Sequence, residues 1–253
     1  MPNRDSVVRR NKLERKSERR SLRERKRNNY PPESVVEENA PILERASFKP
    51  IRALTEAQGH YMIAIQQSDI IFGVGCAGTG KSFIAATMAA DALRDEKISK
   101  LIITRPNVET AATMGFIPGT LEEKYEPFFK PFRKILDRRL GSSNVELLIK
   151  RQQIEPTPVG FIRGETFENC WVILDEAQNL DESQMKTFLT RIGRNCKMII
   201  NGDIDQIDIK GMSGLKDGVN KLKRLSEVSI ITFTEDDSVR SELCKKILKA
   251  YAK

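Results

Sequence analysis

The fold of this chain is decided by the stretch Gly75-Cys-Ala-Gly-Thr-Gly80-Lys81-Ser82. It fits the pattern G-x-x-x-x-G-K-[S/T], whose glycines let the backbone turn its N–H groups toward the β- and γ-phosphates of a nucleotide. Lys81 would add a positive charge at those phosphates, and the Ser82 hydroxyl would bind Mg²⁺. The residues predicted to bind ATP here are Gly75, Cys76, Ala77, Gly78, Thr79, Gly80, Lys81, Ser82 and Phe83.

The secondary structure predicted around this loop is that of an α/β protein. The apolar run 69–74 predicts a buried strand before the loop, and residues 81–93 predict a helix whose N-terminus faces the anion. Strands separated by helices imply a central parallel sheet with helices on both faces. Further strands are predicted at 101–104, 171–174, 197–200 and 228–232, and further helices at 55–67, 121–140, 181–192 and 239–251.

A pair of acids follows the apolar run 171–174. Because parallel strands bring their carboxyl ends to one edge of the sheet, Asp175 and Glu176 are expected beside the phosphate loop. Asp175 would hold Mg²⁺, partly through water, and Glu176 would polarise the attacking water. A second acid directly after the metal ligand indicates hydrolysis, which disfavours a small-molecule kinase. The alternative interpretation is an acidic helix N-cap after a core strand.

Polar residues also follow the predicted strand 197–200, in the stretch Gly202-Asp203-Ile-Asp205-Gln206. Gln206 would reach the γ-phosphate or the attacking water at the same edge of the sheet. Asp203 and Asp205 would orient it or bind the water shell of the metal. The alternative interpretation is a Gly-Asp turn that is stabilised by a local side-chain hydrogen bond.

The formal net charge of +8 comes entirely from the N-terminal end of the chain. Residues 1–30 contain twelve of the 43 Lys and Arg residues and four of the 35 acids, so the remainder is neutral. Few apolar residues occur there, so we expect an arm that is disordered in isolation or helical on a polyanion. The arm would contact nucleic-acid phosphates without sequence preference, or it would be a solvated tail. Prolines mark a linker before residue 51, so we divide the chain into 1–50 (basic arm and linker) and 51–253 (globular domain).

Composition disfavours several other classes of protein. No apolar run is long enough for a membrane span, and the charged start argues against a signal peptide. A single histidine, His60, excludes a His-rich metal site. The cysteines are far apart in sequence, which argues against a zinc site and favours a reducing compartment. We therefore expect a cytoplasmic protein without a membrane partner; its cysteines are Cys76, Cys170, Cys196 and Cys244.

Taken together, these motifs resemble a known family. The phosphate loop, Asp175-Glu-Ala-Gln178 and Gly202-Asp-Ile-Asp-Gln206 resemble motifs of superfamily-one helicases. More specifically, the chain is similar to the PhoH-like ATPases over residues 51–251. The resemblance rests on the stretches 104–109, 115–119, 161–164, 173–179, 184–186, 188–193 and 202–208.

The resemblance implies a single RecA-like core, that is, a P-loop NTPase fold that binds ATP and Mg²⁺. It also implies a homo-oligomer, suspected to be a hexameric ring, and ATP-driven work on RNA or single-stranded nucleic acid. Cys76 stands where a proline is usual and Ser82 where threonine is common, and both changes should be tolerated. Glu165 stands where an arginine is expected, which weakens a role for Arg163 in a neighbouring site.

Two interpretations are open for Thr55-Glu-Ala-Gln58. The stretch resembles the glutamine motif of helicases, in which Gln58 would bind the adenine edge. The same residues also form a capping box, with Thr55 as the N-cap and Gln58 at the third helical position.

Hydrolysis at useful rates normally needs a cation on the transferring phosphoryl group, and a single ATPase core often takes this arginine from a neighbouring subunit. Arg240 is the first candidate, because Asp237-Ser-Val-Arg240 resembles the family's Asp-Val-Val-Arg before the last helix. The alternative for Arg240 is a surface salt bridge at the start of a helix. Further candidates for the catalytic arginine are Arg163, Arg105 and Arg191.

Two segments are candidates for contact with nucleic acid. Thr104-Arg105-Pro106 resembles a helicase strand-contact motif. Residues 128–134, with Arg138 and Arg139, interleave aromatic and basic side chains that could stack on bases and pair with phosphates. We favour the alternative interpretation of the second segment, an amphipathic helix with core residues Phe128, Phe132, Ile135 and Leu136.

The function predicted from the sequence is that of an oligomeric, Mg²⁺-dependent ATPase that acts on RNA or single-stranded nucleic acid, and an RNA helicase is one form of it. The alternative is a nucleotide-switched binding or assembly protein with little turnover.

Overall fold

The computed structural model describes residues 49–106, 121–162, 164, 166–204, 206 and 213–251. These residues belong to one compact unit, 43–253. Several predictions fall outside the described residues. They concern the basic arm up to residue 48, Arg163, Glu165, Asp205 and the stretches 107–120 and 207–212.

A six-stranded sheet forms the centre of this unit. The strand order is β3-β2-β4-β5-β1-β6, and every neighbouring pair is parallel. The predicted α/β architecture is therefore confirmed. The sequence does not predict β3, because this strand is three residues long and lacks an apolar run. The strands are β1 Ile70–Gly75, β2 Lys100–Thr104, β3 Ile154–Pro156, β4 Cys170–Leu174, β5 Lys197–Gly202 and β6 Val228–Phe233.

The helices agree with the predicted pattern, with two additions. The sequence pattern does not predict α4, nor α6, whose two glycines weaken the helical signal. Helix α3 continues through Pro127 and Pro131, although the prolines suggest interruptions there. No described helix is both long enough and apolar enough to cross a bilayer. The helices are α1 Glu56–Gln67, α2 Lys81–Arg94, α3 Leu121–Leu140, α4 Ser142–Lys150, α5 Glu182–Leu189, α6 Gly214–Leu222 and α7 Glu242–Tyr251.

Alternate residues of the strands pack into two separate apolar cores. Side chains at successive strand positions point to opposite faces of a sheet. Ile71 of β1 packs with α1 to α4 on one face, whereas Phe72 packs with α5 and α6 on the other. Burial of each such side chain contributes about 1.5–3 kcal/mol to stability. The prediction that helices cover both faces is thus confirmed, and it leaves the carboxyl edge of the sheet for a ligand.

Candidate functional site

Three of the predicted motifs meet at the carboxyl edge of the sheet. The phosphate loop follows β1, the two acids follow β4, and Gly202 ends β5, and these strands are neighbours in the order β4-β5-β1. Ligands of open parallel sheets bind at this edge. The strand ends surround a cavity of about 250 Å³, which is lined by residues 77–83, Asp175, Glu176, Gly202, Asp203 and Gln206.

The phosphate loop connects β1 to α2 through a backbone that requires glycine. Gly75, Gly78 and Gly80 have φ angles of 124°, 80° and 87°, in the region that side chains other than glycine rarely adopt. A Cβ atom on Gly75 would overlap the carbonyl group of Phe233 in β6. The loop is therefore held against the neighbouring strand, which fixes the direction of its N–H groups.

Lys81 folds back over the loop that precedes it. Its ammonium group donates hydrogen bonds to the carbonyl oxygens of Gly75 at 2.6 Å and Cys76 at 2.7 Å, and to Thr79 Oγ1 at 3.2 Å. It also lies 5.5 Å from the ring centroid of Phe233, within range of a cation–π interaction. The residue is only 8% exposed. A positive charge is thus held beside the cavity where the motif predicts nucleotide phosphates.

Ser82 and Asp175 contact each other directly across the same cavity. The Ser82 hydroxyl donates a hydrogen bond to Asp175 Oδ1 at 2.6 Å. Mg²⁺ is bound by hard oxygen ligands, usually one or two carboxylates together with substrate phosphates and water. A hydroxyl and a carboxylate in contact fit this ligand set, so the pair can hold the magnesium ion of a nucleotide complex.

Burial changes the proton affinity of the charged groups around the cavity. Burial raises the pKa of Asp175, the hydrogen bond from Ser82 lowers it, and the neighbouring charge of Glu176 raises it again. Burial lowers the pKa of Lys81, and the charges of Asp203 and Asp175 oppose that change. These charges are desolvated, and electrostatic interactions with a bound ligand are stronger in such surroundings than in water.

Glu176 is held at both carboxylate oxygens. Arg105 Nη2 lies 3.1 Å from Oε1 in an ion pair, and Gln178 Nε2 donates a hydrogen bond to Oε2 at 2.6 Å. Gln178 is 1% exposed, and its own Oε1 accepts a hydrogen bond from the backbone N–H of Asp203 at 3.0 Å. These contacts join the carboxyl ends of β2, β4 and β5. Glu176 also has a φ of 55°, which is uncommon outside glycine.

Gln206 lines the cavity together with the phosphate loop and both acids. Its backbone N–H donates a hydrogen bond to the carbonyl oxygen of Asp203 at 3.2 Å, so a short turn follows β5. This bond joins backbone atoms, so it does not test the side-chain hydrogen bond of the alternative interpretation, and Gln206 lies at the site. Its contact with a γ-phosphate or a water stays a prediction.

Gln58 links the start of α1 to the phosphate loop. Thr55 is the N-cap, and its hydroxyl accepts a hydrogen bond from the Gln58 N–H at 3.3 Å. The Gln58 side chain accepts from the Leu54 N–H at 2.8 Å and donates to the Thr79 carbonyl oxygen at 3.0 Å. The residue is 4% exposed. Gln58 thus positions the loop through Thr79, and its contact with adenine stays a prediction.

Arg240 lies against the phosphate loop of its own chain. The Val239 N–H donates a hydrogen bond to the Gly78 carbonyl oxygen at 3.0 Å. A Cβ atom built on Gly78 would lie 2.7 Å from Cγ and Cδ of Arg240. Within the described part of the chain, no carboxylate pairs with its guanidinium, so the salt bridge considered as an alternative is not formed there. A role within the same chain is therefore geometrically open, besides the expected role in a neighbour's site.

Arg105 and Arg191, two further candidates for the catalytic arginine, have different contacts. Arg105 is engaged with Glu176. Arg191 donates a hydrogen bond from Nε to the Thr187 carbonyl oxygen at 3.2 Å, just after α5. None of Arg105, Arg191 and Arg240 lines the cavity itself. Arg105 contacts Glu176 and Arg240 lies against Gly78, so these are the two candidates that the described structure brings to the motifs of the site.

The aromatic and basic segment of α3 is largely part of the protein core. Phe129, Phe132 and Leu136 are buried, and Phe128 and Ile135 are partly buried against the same core. Two of its arginines form ion pairs within the protein: Arg133 with Asp137, and Arg139 with Asp91. The amphipathic-helix interpretation is therefore confirmed for this segment.

Some contacts of the site have no clear signal in the sequence. Gln178 belongs to the motif Asp175-Glu-Ala-Gln178, but sequence reasoning assigns it no role, although an amide two residues after an acid could have signalled one. The pairing of Arg105 with Glu176 connects residues 71 positions apart and has no local signal. The contact of Phe233 with Lys81 likewise depends on the pairing of β6 with β1.

Comparison with known proteins gives a consistent result over most of the chain. A family model described as PhoH-like protein matches residues 50–252. The PhoH-like protein of Bacillus subtilis (strain 168) is 44% identical over 223 residues, which cover 87% of this chain and 69% of that protein. Protein PhoH of Escherichia coli (strain K12) is 44% identical over 207 residues, which cover 80% of this chain and 58% of that protein.

Solved structures with low sequence identity are also similar to this chain. The large terminase of a thermophilic bacteriophage has a TM-score of 0.46 and 13% identity, and the match covers 80% of this chain and 51% of the terminase. Pif1 helicase from Candida albicans has a TM-score of 0.37 and 16% identity, and the match covers 73% of this chain and 41% of the helicase.

Proposed function

The chain belongs to the PhoH family, and we propose that it is a Mg²⁺-dependent enzyme that hydrolyses ATP and couples hydrolysis to RNA or single-stranded nucleic acid. The described part has the fold of a P-loop nucleotide-binding ATPase. One observation carries the proposal: the phosphate loop, Asp175 and Glu176 surround a single cavity. The chain spans 58% of the length of the Escherichia coli relative. The activity proposed for this chain therefore rests on its own residues and not on the activity of the longer protein.

The proposed nucleotide contacts follow from the geometry of the loop. Backbone N–H groups of residues 75–82 and the N-terminus of α2 would bind the phosphates, and Lys81 would exchange its carbonyl partners for phosphate oxygens. Ser82 and Asp175 would hold Mg²⁺. When bound, Mg²⁺ supplies positive charge that stabilises the transferring phosphoryl group.

Glu176 is the proposed group that orients and polarises the attacking water. It follows the metal-binding acid directly and lines the same cavity. Gln206 lines this cavity from the end of β5 and would contact the water or the γ-phosphate. A water held between a carboxylate and a γ-phosphate favours hydrolysis over transfer to a second substrate. Positioning of this kind supplies most of the acceleration in phosphoryl transfer.

Nucleic acid is the proposed second substrate. The support comes from the arm, whose twelve bases and four acids in residues 1–30 suit a polyanion, and from Arg105 beside the site. Resemblance to helicase motifs favours a single strand. We further propose a homo-oligomeric ring in the cytoplasm, a setting consistent with four free cysteines.

The decisive experiment measures ATP turnover by the full chain with no polymer, with single-stranded RNA, with single-stranded DNA and with duplex DNA. We expect Mg²⁺-dependent turnover that single strands increase and that Lys81→Ala abolishes. Binding of a fluorescent ATP analogue is measured in parallel. Nucleotide binding without turnover under every condition would refute the proposal and favour a nucleotide-switched assembly protein.

The contribution of the basic arm is measured separately through salt dependence. If all twelve bases paired with phosphates, the slope of log affinity against log salt concentration would reach about −8. Deletion of residues 1–45 should flatten this slope and leave basal ATP turnover unchanged. An unchanged slope after the deletion would mean that the arm is only a solvated tail.

A further inference from the structure

Both carboxylate oxygens of Glu176 have a partner within the protein. Oε1 is paired with Arg105 Nη2 at 3.1 Å, and Oε2 accepts a hydrogen bond from Gln178 Nε2 at 2.6 Å. A carboxylate that polarises a water must offer the water an oxygen within hydrogen-bond distance. An oxygen that is engaged by a cation is a poorer acceptor. The observed arrangement therefore describes a restrained form of the proposed catalytic acid.

The two partners of Glu176 differ in how firmly they are fixed. Gln178 is 1% exposed, and its second amide atom accepts from the Asp203 N–H, so it cannot leave without loss of a buried hydrogen bond. The Arg105 side chain is 31% exposed, and the Glu176 side chain is 37% exposed. A pair that is open to water to this degree is weak and exchanges readily with other ions. Arg105 is thus the partner that can be displaced.

Arg105 is placed where a polyanion can reach it. It follows β2 directly, at the same edge of the sheet as the cavity. The preceding residue, Thr104, is buried, and its carbonyl oxygen accepts a hydrogen bond from the Asp175 N–H at 2.9 Å, which fixes the position from which the arginine side chain extends. A guanidinium group binds phosphate oxygens at least as well as it binds a carboxylate, often through two parallel hydrogen bonds.

We propose that Arg105 restrains Glu176 in the absence of nucleic acid, and that a phosphodiester group of a single strand takes Arg105 away and so permits hydrolysis. Glu176 Oε1 then becomes a better acceptor for the attacking water, while Gln178 keeps Oε2 in place. Arg105 is a positioning residue that couples the two substrates of the enzyme. This inference rests on the proposed function, since it assigns a regulatory role at the same site.

The experiment compares Arg105→Ala with the wild-type full chain in ATP turnover, with and without single-stranded RNA. Removal of the arginine should raise basal turnover by about two- to fivefold, as expected for loss of one partly exposed ion pair. The ratio of stimulated to basal turnover should fall to about one, because nothing remains for the RNA to release. Arg105→Lys keeps a cation and should retain part of the stimulation.

A matched control lies on the same strand. Lys100 begins β2 and forms an ion pair with Glu155, and the two side chains are 33% and 32% exposed. Lys100→Ala thus removes a cation and an ion pair of similar exposure at the opposite end of β2. It should leave both basal turnover and stimulation by RNA at wild-type values. Fluorescence anisotropy with labelled RNA then shows whether Arg105→Ala also weakens binding.

Each outcome decides the proposal. Raised basal turnover with lost stimulation in Arg105→Ala alone supports the restraint. Lowered basal turnover would overturn it, since Arg105 would then assist the reaction itself, and so would stimulation equal to wild type. Failure of the proposed function would give a different result, because wild-type protein would then show no ATP turnover with any polymer. In that case both the proposed function and the restraint by Arg105 would be rejected.

Discussion

The two halves of the site differ in how far apart their partners lie in the sequence. In the phosphate-loop half, Lys81 contacts Gly75, Cys76 and Thr79, at most six positions away. In the acid half, Arg105 contacts Glu176 across 71 positions and Gln178 contacts Asp203 across 25. The hydrogen bonds of Lys81 are therefore encoded in a continuous segment, whereas its contact with Phe233 depends on the pairing of β6 with β1. The acid half exists only when β2, β4 and β5 pair in the observed order and register.

The difference also separates two kinds of chemistry. The phosphate-loop half presents donors and a fixed cation, which serve to bind a nucleotide. The acid half contains the carboxylate of Glu176, whose displaceable partner Arg105 is proposed to control the reaction. We therefore expect substitutions in the first half to affect binding and turnover together, and substitutions in the second to affect turnover with little change in nucleotide affinity.

The largest effect is expected for Lys81→Ala in the phosphate-loop half. The substitution removes the buried cation and its three hydrogen bonds, so turnover should fall by more than about 10³-fold, with weakened ATP binding. Steady-state ATPase assays and titration with a fluorescent ATP analogue measure the two effects. Lys97→Ala changes an exposed lysine just after α2 and should have wild-type values. Retained turnover in Lys81→Ala would remove the basis for the division into two halves.

Arg240→Ala should give the next largest loss of ATP turnover. It also tests whether the segment after β6 belongs to the phosphate-loop half of the site. Loss of an arginine from the transferring phosphoryl group lowers turnover by about 10³-fold or more. Because Arg240 lies on Gly78 of its own chain, we expect this loss to occur within one subunit. Co-expressed oligomers that mix Arg240→Ala with Lys81→Ala should then stay inactive. Recovered activity in the mixture would instead show that the arginine acts on a neighbouring subunit.

Glu176→Gln removes a negative charge from the acid half and keeps the size of the side chain. The amide cannot polarise water as a carboxylate does, so kcat should fall by about 10²-fold. The KM for ATP should change little, because the phosphate-loop contacts remain. Glu182→Gln, in the first turn of α5, controls for the charge change. A raised KM with an unchanged kcat would assign Glu176 to nucleotide binding.

Gln178→Leu should give the smallest loss of ATP turnover. It tests how much the long-range contacts contribute to the acid half. It removes the support of Glu176 Oε2 and leaves the buried Asp203 N–H without its side-chain acceptor. We expect kcat to fall about tenfold and the free energy of unfolding to fall by about 1–3 kcal/mol. Denaturant titration and ATPase assays measure these changes. Full stability with full turnover would mean that the acid half is held by its strands alone.

Much of the fold and half of the site are predictable from the sequence. The phosphate loop, the acids after β4 and the parallel sheet are predictable because each leaves a continuous pattern of residue types. Helix α6 escapes prediction because Gly214 and Gly218 pack closely against α5 and its N-terminal turn, a requirement of contact that propensity does not reveal.

The contacts that join different strands could not be predicted. The pairing of Arg105 with Glu176 requires β2 and β4 to be neighbours, and a sequence of alternating strands and helices fits many strand orders. The place of Arg240 on Gly78 requires the end of the chain to return to its first strand. Residue types indicate the chemistry of these positions, but only the strand order shows which groups meet.

The position of β1 has a consequence for synthesis of the protein. β1 is the first strand of the described sheet, yet its two neighbours, β5 and β6, are the last two to leave the ribosome. The strand before the phosphate loop therefore has no neighbouring strands to pair with until residues 197–202 and 228–233 have been made. Strands paired over such long separations form slowly and expose apolar surface meanwhile. A nascent chain would carry the complete nucleotide-binding motif well before it could bind a nucleotide.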